Sequence, residues 1–368
     1  MGKIYTALGL MSGTSMDGVD ASIIQTDGRS KYKAILNKYF EYPSSIYQNL
    51  IKLRDKIKSS KDLKKHQKKI RVVEKEITFF HAKVVNKTLK KTKKNVDFIG
   101  FHGQTIFHNA DEKITNQLGD GKLLSKLTKK KVVYNFRNND LKNGGEGAPL
   151  TPIFHQLLQK KFNIKAVSFY NIGGILNRTT ISSGGLVTAR DIGPGMCLID
   201  KWIRTKTKKK YDKNGNLAKL GKVNKKILDK YWKIFQSSDR KRLSYDIKDF
   251  DISLAKKLSL KDGAATLTVN TAKCLIFDFK FINQNFDAFK EKKILCGGGR
   301  KNKFLVNIIK SSNKNVKLID DYGVDGDFVE SQAFAYLAIR SFLKLPISFP
   351  RTTGCRKPCS GGVIVKDI

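Results

Sequence analysis

Short apolar runs that end in glycine-containing turns recur along the chain and predict an α/β protein with two similar halves. Residues 4–10 and 19–24 are apolar runs on either side of a cluster of small and hydroxylated residues, which predicts two strands joined by a tight turn. The same arrangement recurs at residues 167–181. A later apolar run, 293–296, ends in three glycines before a helix-like stretch. Glycine turns repeated in this way predict two halves that face one nucleotide.

Apolar residues at helical spacing predict long helices between these strands. Residues 44–92 are rich in lysine and carry apolar positions three or four residues apart. Residues 264–281 and 327–343 show the same spacing. Two further strands are predicted, one at 96–101 that opens onto a polar segment and one at 132–136. Alternating strands and helices of this kind indicate the α/β class.

The composition is that of a globular cytoplasmic protein with a sizeable core. Hydrophobic residues make up 40% of the chain, and no apolar run is long enough to span a membrane. The first residues lead directly into a strand, without a signal-peptide pattern. The 5 cysteines are scattered and odd in number, which favours a reducing compartment over a disulfide framework. Cys355 and Cys359 are close enough in sequence to share a metal, but no second Cys/His pair supports a zinc site.

The formal net charge of +40 raises the question of nucleic-acid binding. The lysines are dispersed, as at residues 61–69 and 205–210, and no aromatic stacking platform accompanies them. We therefore interpret them as solvated faces and expect no specific nucleic-acid partner and no membrane partner. A positive field of this size would still steer an anionic nucleotide towards its binding site. A homodimer is compatible with the sequence, which does not determine the oligomeric state.

The first glycine turn, residues 12–20, has the composition of a phosphate-binding loop. Gly13 and Gly18 permit close approach of a ligand to the backbone. The amides of the turn, together with its serine and threonine hydroxyls, form a concavity rich in hydrogen-bond donors. Asp17 and Asp20 are then available to face a metal ion. A simple hairpin is the other interpretation of this segment when it is considered alone.

Two acidic residues are candidates for chemistry. Asp191 precedes a glycine-flanked proline turn at residues 192–195, and a carboxylate held at a strand end in this way can act as a general base. An ordinary surface turn is the alternative. Glu330 lies at the start of a helix-like run, where its role is either to interact with the helix dipole or to act as a second carboxylate of the site.

Polar residues after the strand at 96–101 are candidates for ligand binding. His102, Gln104 and Thr105 offer hydrogen-bonding groups for a polar ligand. Arg137 has the fork geometry to pair with a substrate carboxylate. The alternative is that Arg137 pairs with a carboxylate of the protein itself, Asp140 or Asp191, and holds it in position.

Ten short motifs in a fixed order give the chain a close resemblance to a known family. It resembles the anhydro-N-acetylmuramic acid kinase family, a branch of the sugar kinase/Hsp70/actin superfamily, and the motifs cover nearly the whole chain. They are GLMSGTSMDGVD (9–20), FHGQTIFH (101–108), NQLGDG (116–121), NFRNNDL (135–141), GGEGAPLTP (144–152), NIGGILN (171–177), DIGPGMCLID (191–200), LCGGGRKN (295–302), DGDFVESQAFAYLAIR (325–340) and LPISFPRTTGC (345–355).

The resemblance implies a two-domain, actin-like ATPase fold. Each half would be a mixed five-stranded sheet flanked by helices, with a cleft between the halves. The first half would comprise residues 1–130, with the C-terminal tail, 345–368, packing on it. The second half would comprise residues 131–344 and carry the catalytic aspartate and the late glycine turn.

The resemblance also implies an activity, a phosphotransferase reaction with an alcohol acceptor. The enzyme would use ATP and Mg²⁺ to open 1,6-anhydro-N-acetylmuramic acid with water and phosphorylate O6, giving N-acetylmuramic acid 6-phosphate and ADP in murein recycling. Two alternatives stay open: a kinase for a different sugar, in which Asp191 deprotonates a sugar hydroxyl, and a nucleotide-dependent binding module.

Site residues follow from the family motifs. Asp191 would be the catalytic base and Glu330 a carboxylate that contacts sugar. Asn135, Met196 and Ser331 depart from the residues usual in the family at those positions. The substrate contacts would be His102, Gln104, Thr105, Arg137 and Glu330, and the metal ligands Asp17 and Asp20. The nucleotide contacts would be Gly13, Thr14, Ser15, Met16, Asp17, Gly18, Val19, Asp20, Gly173, Gly174, Gly297, Gly298, Gly299 and Asn302.

Overall fold

The computed structural model describes residues 2–237, 243–285 and 291–365, with backbone only at 282–285. The chain forms two compact units, one made of Met1–Lys161 with Phe328–Ile368 and the other of Phe162–Asp327. In the described residues no helix is both long and apolar enough to cross a bilayer.

The strands confirm the predicted alternation of apolar runs and turns. In the described residues they are β1 (Tyr5–Ser12), β2 (Gly18–Thr26), β3 (Tyr32–Glu41), β4 (Phe98–Asn109), β5 (Ile114–Leu118), β6 (Lys131–Tyr134), β7 (Val167–Ile172), β8 (Ile175–Ile181), β9 (Val187–Pro194), β10 (Lys292–Cys296), β11 (Val316–Leu318) and β12 (Val363–Val365).

The two sheets share one topology. In the first unit the order β3-β2-β1-β4-β6 has antiparallel pairs on the β3 side and parallel pairs on the β6 side. In the second unit the order β9-β8-β7-β10-β11 repeats these directions pair by pair. The two halves predicted from the glycine turns are therefore real, and the β1–β2 turn is equivalent to the β7–β8 turn.

The first sheet is larger than predicted. It has seven strands among the described residues, because β5 pairs with the far end of β4 and β12 adds to the β6 edge. The prediction of five strands in each half is correct only for the second sheet. β4 also runs on through residues 102–105, which were expected to follow the strand.

Helices flank both sheets, as the α/β class requires. The long helical pattern at 44–92 forms three helices, because the helical conformation is interrupted after residues 56 and 65. The helices of the described residues are α1 (Ser44–Lys56), α2 (Ser60–Lys65), α3 (Gln67–Leu89), α4 (Gly121–Thr128), α5 (Asn138–Lys142), α6 (Pro152–Lys161), α7 (Cys197–Lys206), α8 (Asn216–Lys219), α9 (Lys225–Ser237), α10 (Leu260–Asn285), α11 (Lys303–Ser312), α12 (Val329–Phe342) and α13 (Pro350–Thr353).

The unit boundaries differ from the predicted ones. Residues 131–161 and 328–344, expected in the second half, belong to the first unit. One reason is that β6 pairs with β4 in the first sheet. Another is that glycines in β1 and β4 admit α12 onto that sheet: a Cβ at Gly9 would lie 1.8 Å from the Ser331 carbonyl oxygen, and one at Gly100 would lie 2.2 Å from that of Phe334. The tail also belongs to the first unit, where β12 pairs with β6.

Candidate active site

The β1–β2 turn is held by a buried glutamine from β4. The Gln104 side chain is fully buried; its Oε1 lies 2.6 Å from Ser12 Oγ, and its Nε2 donates to the Gly13 carbonyl oxygen at 3.0 Å. Tyr42 donates from its hydroxyl to Ser12 Oγ at 3.0 Å. Because β1 and β4 are parallel, their ends meet at one edge of the sheet. Gln104, predicted to bind sugar, has its amide engaged with the backbone and side chain of this turn.

The residues of this turn divide into a packed set and an exposed set. Met16 and Val19 are buried in the hydrophobic core of the first unit, so only their backbone atoms are available to a ligand. Gly18 is required by packing, since a Cβ there would lie 2.5 Å from the Phe40 carbonyl oxygen. Thr14 and Ser15 are exposed and present hydroxyls and amides to solvent.

At three glycines in the predicted nucleotide turns, neither the backbone conformation nor packing within the described chain requires glycine. Gly13, Gly173 and Gly298 do not have positive φ. A Cβ at Gly13 would meet only Ser15 Oγ at 3.9 Å, and one at Gly298 would meet nothing in the described chain within 4 Å. At Gly173 the nearest atom would be the Ile175 carbonyl oxygen at 3.4 Å, an ordinary contact. Each position leaves room beside the backbone for an atom from outside the chain.

One predicted metal ligand, Asp17, lies in the first turn, and the other, Asp20, lies near the start of β2. Asp17 is half-buried, and its Oδ1 accepts a hydrogen bond from Ser15 Oγ at 2.6 Å. Asp20 is also half-buried, on β2 opposite Met11 and Tyr39. Mg²⁺ in proteins is commonly held by one or two carboxylates together with phosphate oxygens and water. Two partly exposed carboxylates beside a donor-rich turn fit that pattern.

A neutral histidine and an arginine form a pair next to β4. His102 Nδ1 lies 2.8 Å from the Gly103 carbonyl oxygen, and Nε2 lies 3.2 Å from Arg137 Nε and 3.0 Å from Arg137 Nη2. Burial, together with the positive charge of Arg137, holds the pKa of His102 well below its usual value. Nδ1 therefore carries the proton, and Nε2 accepts from the guanidinium. Arg137 Nη1 also donates to the Gly147 carbonyl oxygen at 2.8 Å.

Glu330 lies in the first turn of α12, as predicted. One turn further on, the Phe334 ring contacts the His102 ring with a centroid distance of 4.5 Å. Residues four apart lie on the same face of a helix. Glu330 is therefore placed on the α12 face that carries the contact to His102. Thr105 is half-buried on β4, and its Oγ1 accepts from Gln117 Nε2 at 3.3 Å.

Asp191 is a buried carboxylate within β9. It lies opposite Asn177 at a β-bulge, and the strand continues to Pro194, so the glycine–proline segment extends the strand where a turn was expected. The Tyr245 amide donates to Asp191 Oδ2 at 2.8 Å, and the Asp191 amide donates to the Leu243 carbonyl oxygen at 2.7 Å. The side chain and backbone of Asp191 are thus both fixed by the segment that follows α9.

The second glycine turn positions the start of α7. The amides of Met196 and Cys197 donate to the carbonyl oxygens of Gly173 and Gly174, at 2.8 and 3.1 Å respectively. A Cβ at Gly195 would lie 2.3 Å from the Gly173 carbonyl oxygen. The segment after Asp191 therefore lies directly against the Gly173–Gly174 turn, and its glycine is required by that approach.

The triple-glycine loop packs on the end of β7 through its two outer residues. A Cβ at Gly297 would lie 2.1 Å from Asn171 Oδ1, and one at Gly299 would lie 2.3 Å from Ile172 Cγ2. Gly297 also has φ +78°, in the left-handed region that favours glycine. The middle residue, Gly298, faces open space. The loop thus resembles the first turn in having a fixed base and one glycine free of packing.

Arg300 anchors this loop and was missed by the sequence reasoning. Its guanidinium is buried, donates to both carboxylate oxygens of Asp320 at 2.6 and 2.9 Å, and reaches Asp327 Oδ1 at 2.6 Å. It also donates to the Gly297 carbonyl oxygen at 3.1 Å. The acidic residues at 320–327 were the available signal, because a buried arginine needs carboxylate partners.

Asn302 caps α11 through its Oδ1, and its Nδ2 takes no part in the cap. Its Oδ1 accepts from the Leu305 amide at 3.0 Å, and the side chain is buried against Gly215, where a Cβ would lie 2.2 Å from that oxygen. Within the part of the chain that the structure describes, Asn302 Nδ2 has no hydrogen-bond partner. A buried amide donor of this kind is expected to have a partner.

Local structure accommodates the three residues that differ from those usual in the family that the sequence resembles: Asn135, Met196 and Ser331. Asn135 adopts φ +59°, which asparagine tolerates better than most residues. Ser331 is fully buried, and its hydroxyl lies 2.7 Å from that of Ser22. Met196 directly precedes α7 and bonds the Gly173 carbonyl oxygen through its amide, which any residue but proline can do.

A family model matches nearly the whole chain: that of the anhydro-N-acetylmuramic acid kinases, over residues 5–367. The chain is therefore a kinase, a transferase that binds nucleotide. A protein of that name from Pelagibacter ubique is 54% identical over 377 aligned residues, and one from Agrobacterium fabrum is 38% identical, each match covering 100% of both chains. The chain belongs to the anhydro-N-acetylmuramic acid kinase family.

Solved structures show more distant likenesses. An activator of 2-hydroxyisocaproyl-CoA dehydratase from Clostridium difficile, with bound ADPNP, is 10% identical with a TM-score of 0.41; the match covers 91% of this chain and 94% of that one. A hexokinase from Schistosoma mansoni complexed with glucose is 10% identical with a TM-score of 0.42, covering 91% and 85%. Likenesses this distant carry no inference about ligands.

Proposed function

We propose that this chain is an ATP-dependent kinase that opens 1,6-anhydro-N-acetylmuramic acid with water and phosphorylates O6. The products would be N-acetylmuramic acid 6-phosphate and ADP, and the role would be the recycling of murein fragments in the cytoplasm. Family membership over nearly the whole chain supports the substrate. The observation in the fold that carries the chemistry is the buried, doubly anchored carboxylate of Asp191.

Asp191 is the base in this proposal. Its Oδ1 takes a proton from a water molecule, whose oxygen attacks the anomeric carbon and breaks the bond to the bridging oxygen. The freed O6 then takes the γ-phosphoryl group of ATP in line. A general base typically contributes 10²–10⁴-fold to the rate, so loss of the carboxylate should be severe. The Tyr245 amide on Oδ2 fixes the orientation of the group.

The glycine turns bind ATP in this proposal. Gly13 and Gly173 leave open space beside the backbone at equivalent turns of the duplicated fold, and Gly298 does so in the loop after β10; phosphate oxygens need such space to reach backbone amides. The exposed Thr14 and Ser15 hydroxyls add donors. The unpartnered amide donor of Asn302 suits an acceptor on the nucleotide.

The sugar is recognised through the pair formed by His102 and Arg137 and through Glu330. The guanidinium is fixed on two sides, by His102 and by the Gly147 carbonyl oxygen, so it is oriented before the substrate arrives. We assign it to the carboxylate of the lactyl group, which a guanidinium recognises well. Glu330 would accept from a sugar hydroxyl. Gln104 acts through the β1–β2 turn that it braces.

Asp17 and Asp20 would hold Mg²⁺, with the phosphate oxygens of ATP as its other ligands. The bound ion would neutralise charge on those oxygens. Ser15 donates to Asp17 and fixes one carboxylate oxygen, leaving the other oxygen for the ion.

The substitution Asp191→Asn tests the proposal. The amide keeps the size of the side chain and an oxygen that accepts from the Tyr245 amide, so we expect an unchanged melting temperature and unchanged ATP affinity. Turnover should fall by at least about 10²-fold because an amide does not take up the proton. Near-normal turnover in a folded variant would remove Asp191 from the mechanism.

A further inference from the structure

Two cysteines of the C-terminal tail and an aspartate of α5 converge inside the first unit, and none of the three has a role in the proposed reaction. Asp140, Cys355 and Cys359 each bring one ligand atom to a point where all three lie within 4.8 Å of one another. All three residues are buried, with exposures of 1%, 1% and 7%. Thiolate and carboxylate groups are ligands of Zn²⁺. From this juxtaposition we propose a site for a thiophilic dication, Zn²⁺, at Asp140, Cys355 and Cys359.

The spacing is close to what the metal requires. Zn–S bonds of about 2.3 Å and Zn–O bonds of about 2.0–2.2 Å in a tetrahedron separate neighbouring ligand atoms by about 3.5–3.8 Å. Ligand atoms already within 4.8 Å need to move by only about 1 Å. Three protein ligands leave the fourth tetrahedral position to a ligand from outside this set.

The backbone around the cysteines is already fixed. Cys359 and Ser348 form a bridge in which the Cys359 amide donates to the Ser348 carbonyl oxygen at 3.1 Å. The Arg356 amide donates to the Asn143 carbonyl oxygen at 3.0 Å, which ties the tail to the segment that follows α5. A site whose ligands are ordered in advance loses less entropy when it binds a metal ion.

Neutral groups form hydrogen bonds with two of the three ligands, Asp140 and Cys359. Thr353 Oγ1 donates to Asp140 Oδ1 at 2.6 Å, and the Gly147 amide donates to Asp140 Oδ2 at 2.7 Å. Ser348 Oγ lies 3.1 Å from Cys359 Sγ. Donors of this kind orient metal ligands and tune their basicity. Among the described residues, no lysine or arginine forms an ion pair with Asp140, so a dication would supply the charge that this buried carboxylate lacks.

Binding would displace protons and leave the redox state unchanged. Each thiol gives its proton to the solvent as its sulfur forms a bond to the metal, so up to two protons are released for each ion. The ion would join the tail to Asp140 of α5, which lies three residues after Arg137. Its role would be structural, and its ligands differ from those proposed for Mg²⁺.

The experiment is metal titration of the full-length protein after chelator treatment and reduction. We expect the wild type to bind one Zn²⁺ per chain and, when loaded with Co²⁺, to show a thiolate-to-cobalt charge-transfer band. Cys355→Ser and Cys359→Ser should each strongly reduce that band, because each removes one of the two thiolates. Cys197→Ser, which changes a cysteine of the second unit, should keep it. Thr353→Val should weaken Zn²⁺ binding by about 10–100-fold, the usual cost of losing an outer hydrogen bond.

Several results would overturn the proposal. Binding of less than one Zn²⁺ per chain, or a cobalt band that is undiminished in both tail variants, would exclude the site. A mass two hydrogens lighter than that of the reduced chain, with Cys355 and Cys359 joined, would show a disulfide in its place. If the tail variants fail to fold, the wild type decides, because a Co²⁺-loaded chain that lacks the thiolate-to-cobalt band would show that these cysteines do not bind the metal.

Discussion

Substitution of Gly13 separates nucleotide binding from folding. In Gly13→Val the new Cβ would meet only Ser15 Oγ at 3.9 Å, and the backbone there does not have positive φ. The folded chain therefore has room for the side chain, and loss of glycine's freedom in the unfolded state tends to stabilise by about 0.4–1 kcal/mol. The melting temperature should stay the same or rise slightly.

ATP affinity should fall in the same variant. A phosphate that reaches the turn amides makes hydrogen bonds to a charged group, each worth about 1.5–3 kcal/mol. Loss of one such bond corresponds to a weakening of about 10- to 150-fold, since about 1.4 kcal/mol is a factor of ten. Calorimetry with a non-hydrolysable ATP analogue measures this directly, and sugar affinity should change little.

Gly184 offers a matched control for this experiment. A Cβ at Gly184 would also meet only a serine hydroxyl, Ser182 Oγ, at 3.9 Å, and the residue lies in the exposed β8–β9 turn. Gly184→Val should therefore fold as well as Gly13→Val and bind ATP like the wild type. If Gly13→Val is stable and binds ATP with unchanged affinity, the placement of the phosphates at this turn is wrong.

Three other perturbations test separate parts of the account. Arg137→Lys removes the fork that bonds His102 Nε2 and the Gly147 carbonyl oxygen, so the KM for sugar should rise about 10–100-fold while ATP affinity holds, as steady-state kinetics would show. Burial lowers the pKa of His81 to about 4, that of His155 to about 3 and that of His102 well below its usual value. The unfolded chain therefore binds more protons below pH 6.5, and stability should fall with decreasing pH by up to about 1.4 kcal/mol per unit for each histidine, seen as a lower melting temperature. The net charge of +40 should give nucleic-acid binding only at low salt, and a filter-binding series should show it vanish near physiological salt while kinase activity persists.

Each of these three predictions has a result that would contradict it. An unchanged sugar KM in Arg137→Lys would remove the guanidinium from substrate recognition. A melting temperature that is flat between pH 7.5 and 5 would mean that the buried histidines take up protons in the folded state. Sequence-selective binding of DNA or RNA at about 0.2 M salt would favour a binding module, because counterion release should by then have removed most non-specific affinity.

The strands, the glycine turns and the duplication were predictable because each depends on local sequence. Apolar runs and glycine positions identified the β1–β2 and β7–β8 turns, and the sheets confirm their equivalence. The unit boundary was not predictable in this way. It depends on α12 packing on Gly9 and Gly100, and these contacts join residues more than 200 positions apart.

The chemistry of the candidate site was predictable by residue type and less so by contact. His102 and Arg137 were named separately, but nothing in their spacing showed that one is the hydrogen-bond partner of the other. The sequence offered Gln104 as a sugar ligand, while its amide proves to be engaged with the β1–β2 turn. Cys355 and Cys359 lacked a third ligand in sequence, since Asp140 approaches them only through the packing of the tail.

The most direct measurement is the mass of the product formed from ATP and 1,6-anhydro-N-acetylmuramic acid in water enriched in oxygen-18. The account predicts ATP turnover that depends on the sugar. It also predicts a product that has gained one phosphoryl group and the atoms of one water molecule, with the heavy oxygen on the anomeric carbon. A phosphorylated product that still contains the anhydro bridge, or ATP turnover that is indifferent to the sugar, would contradict it.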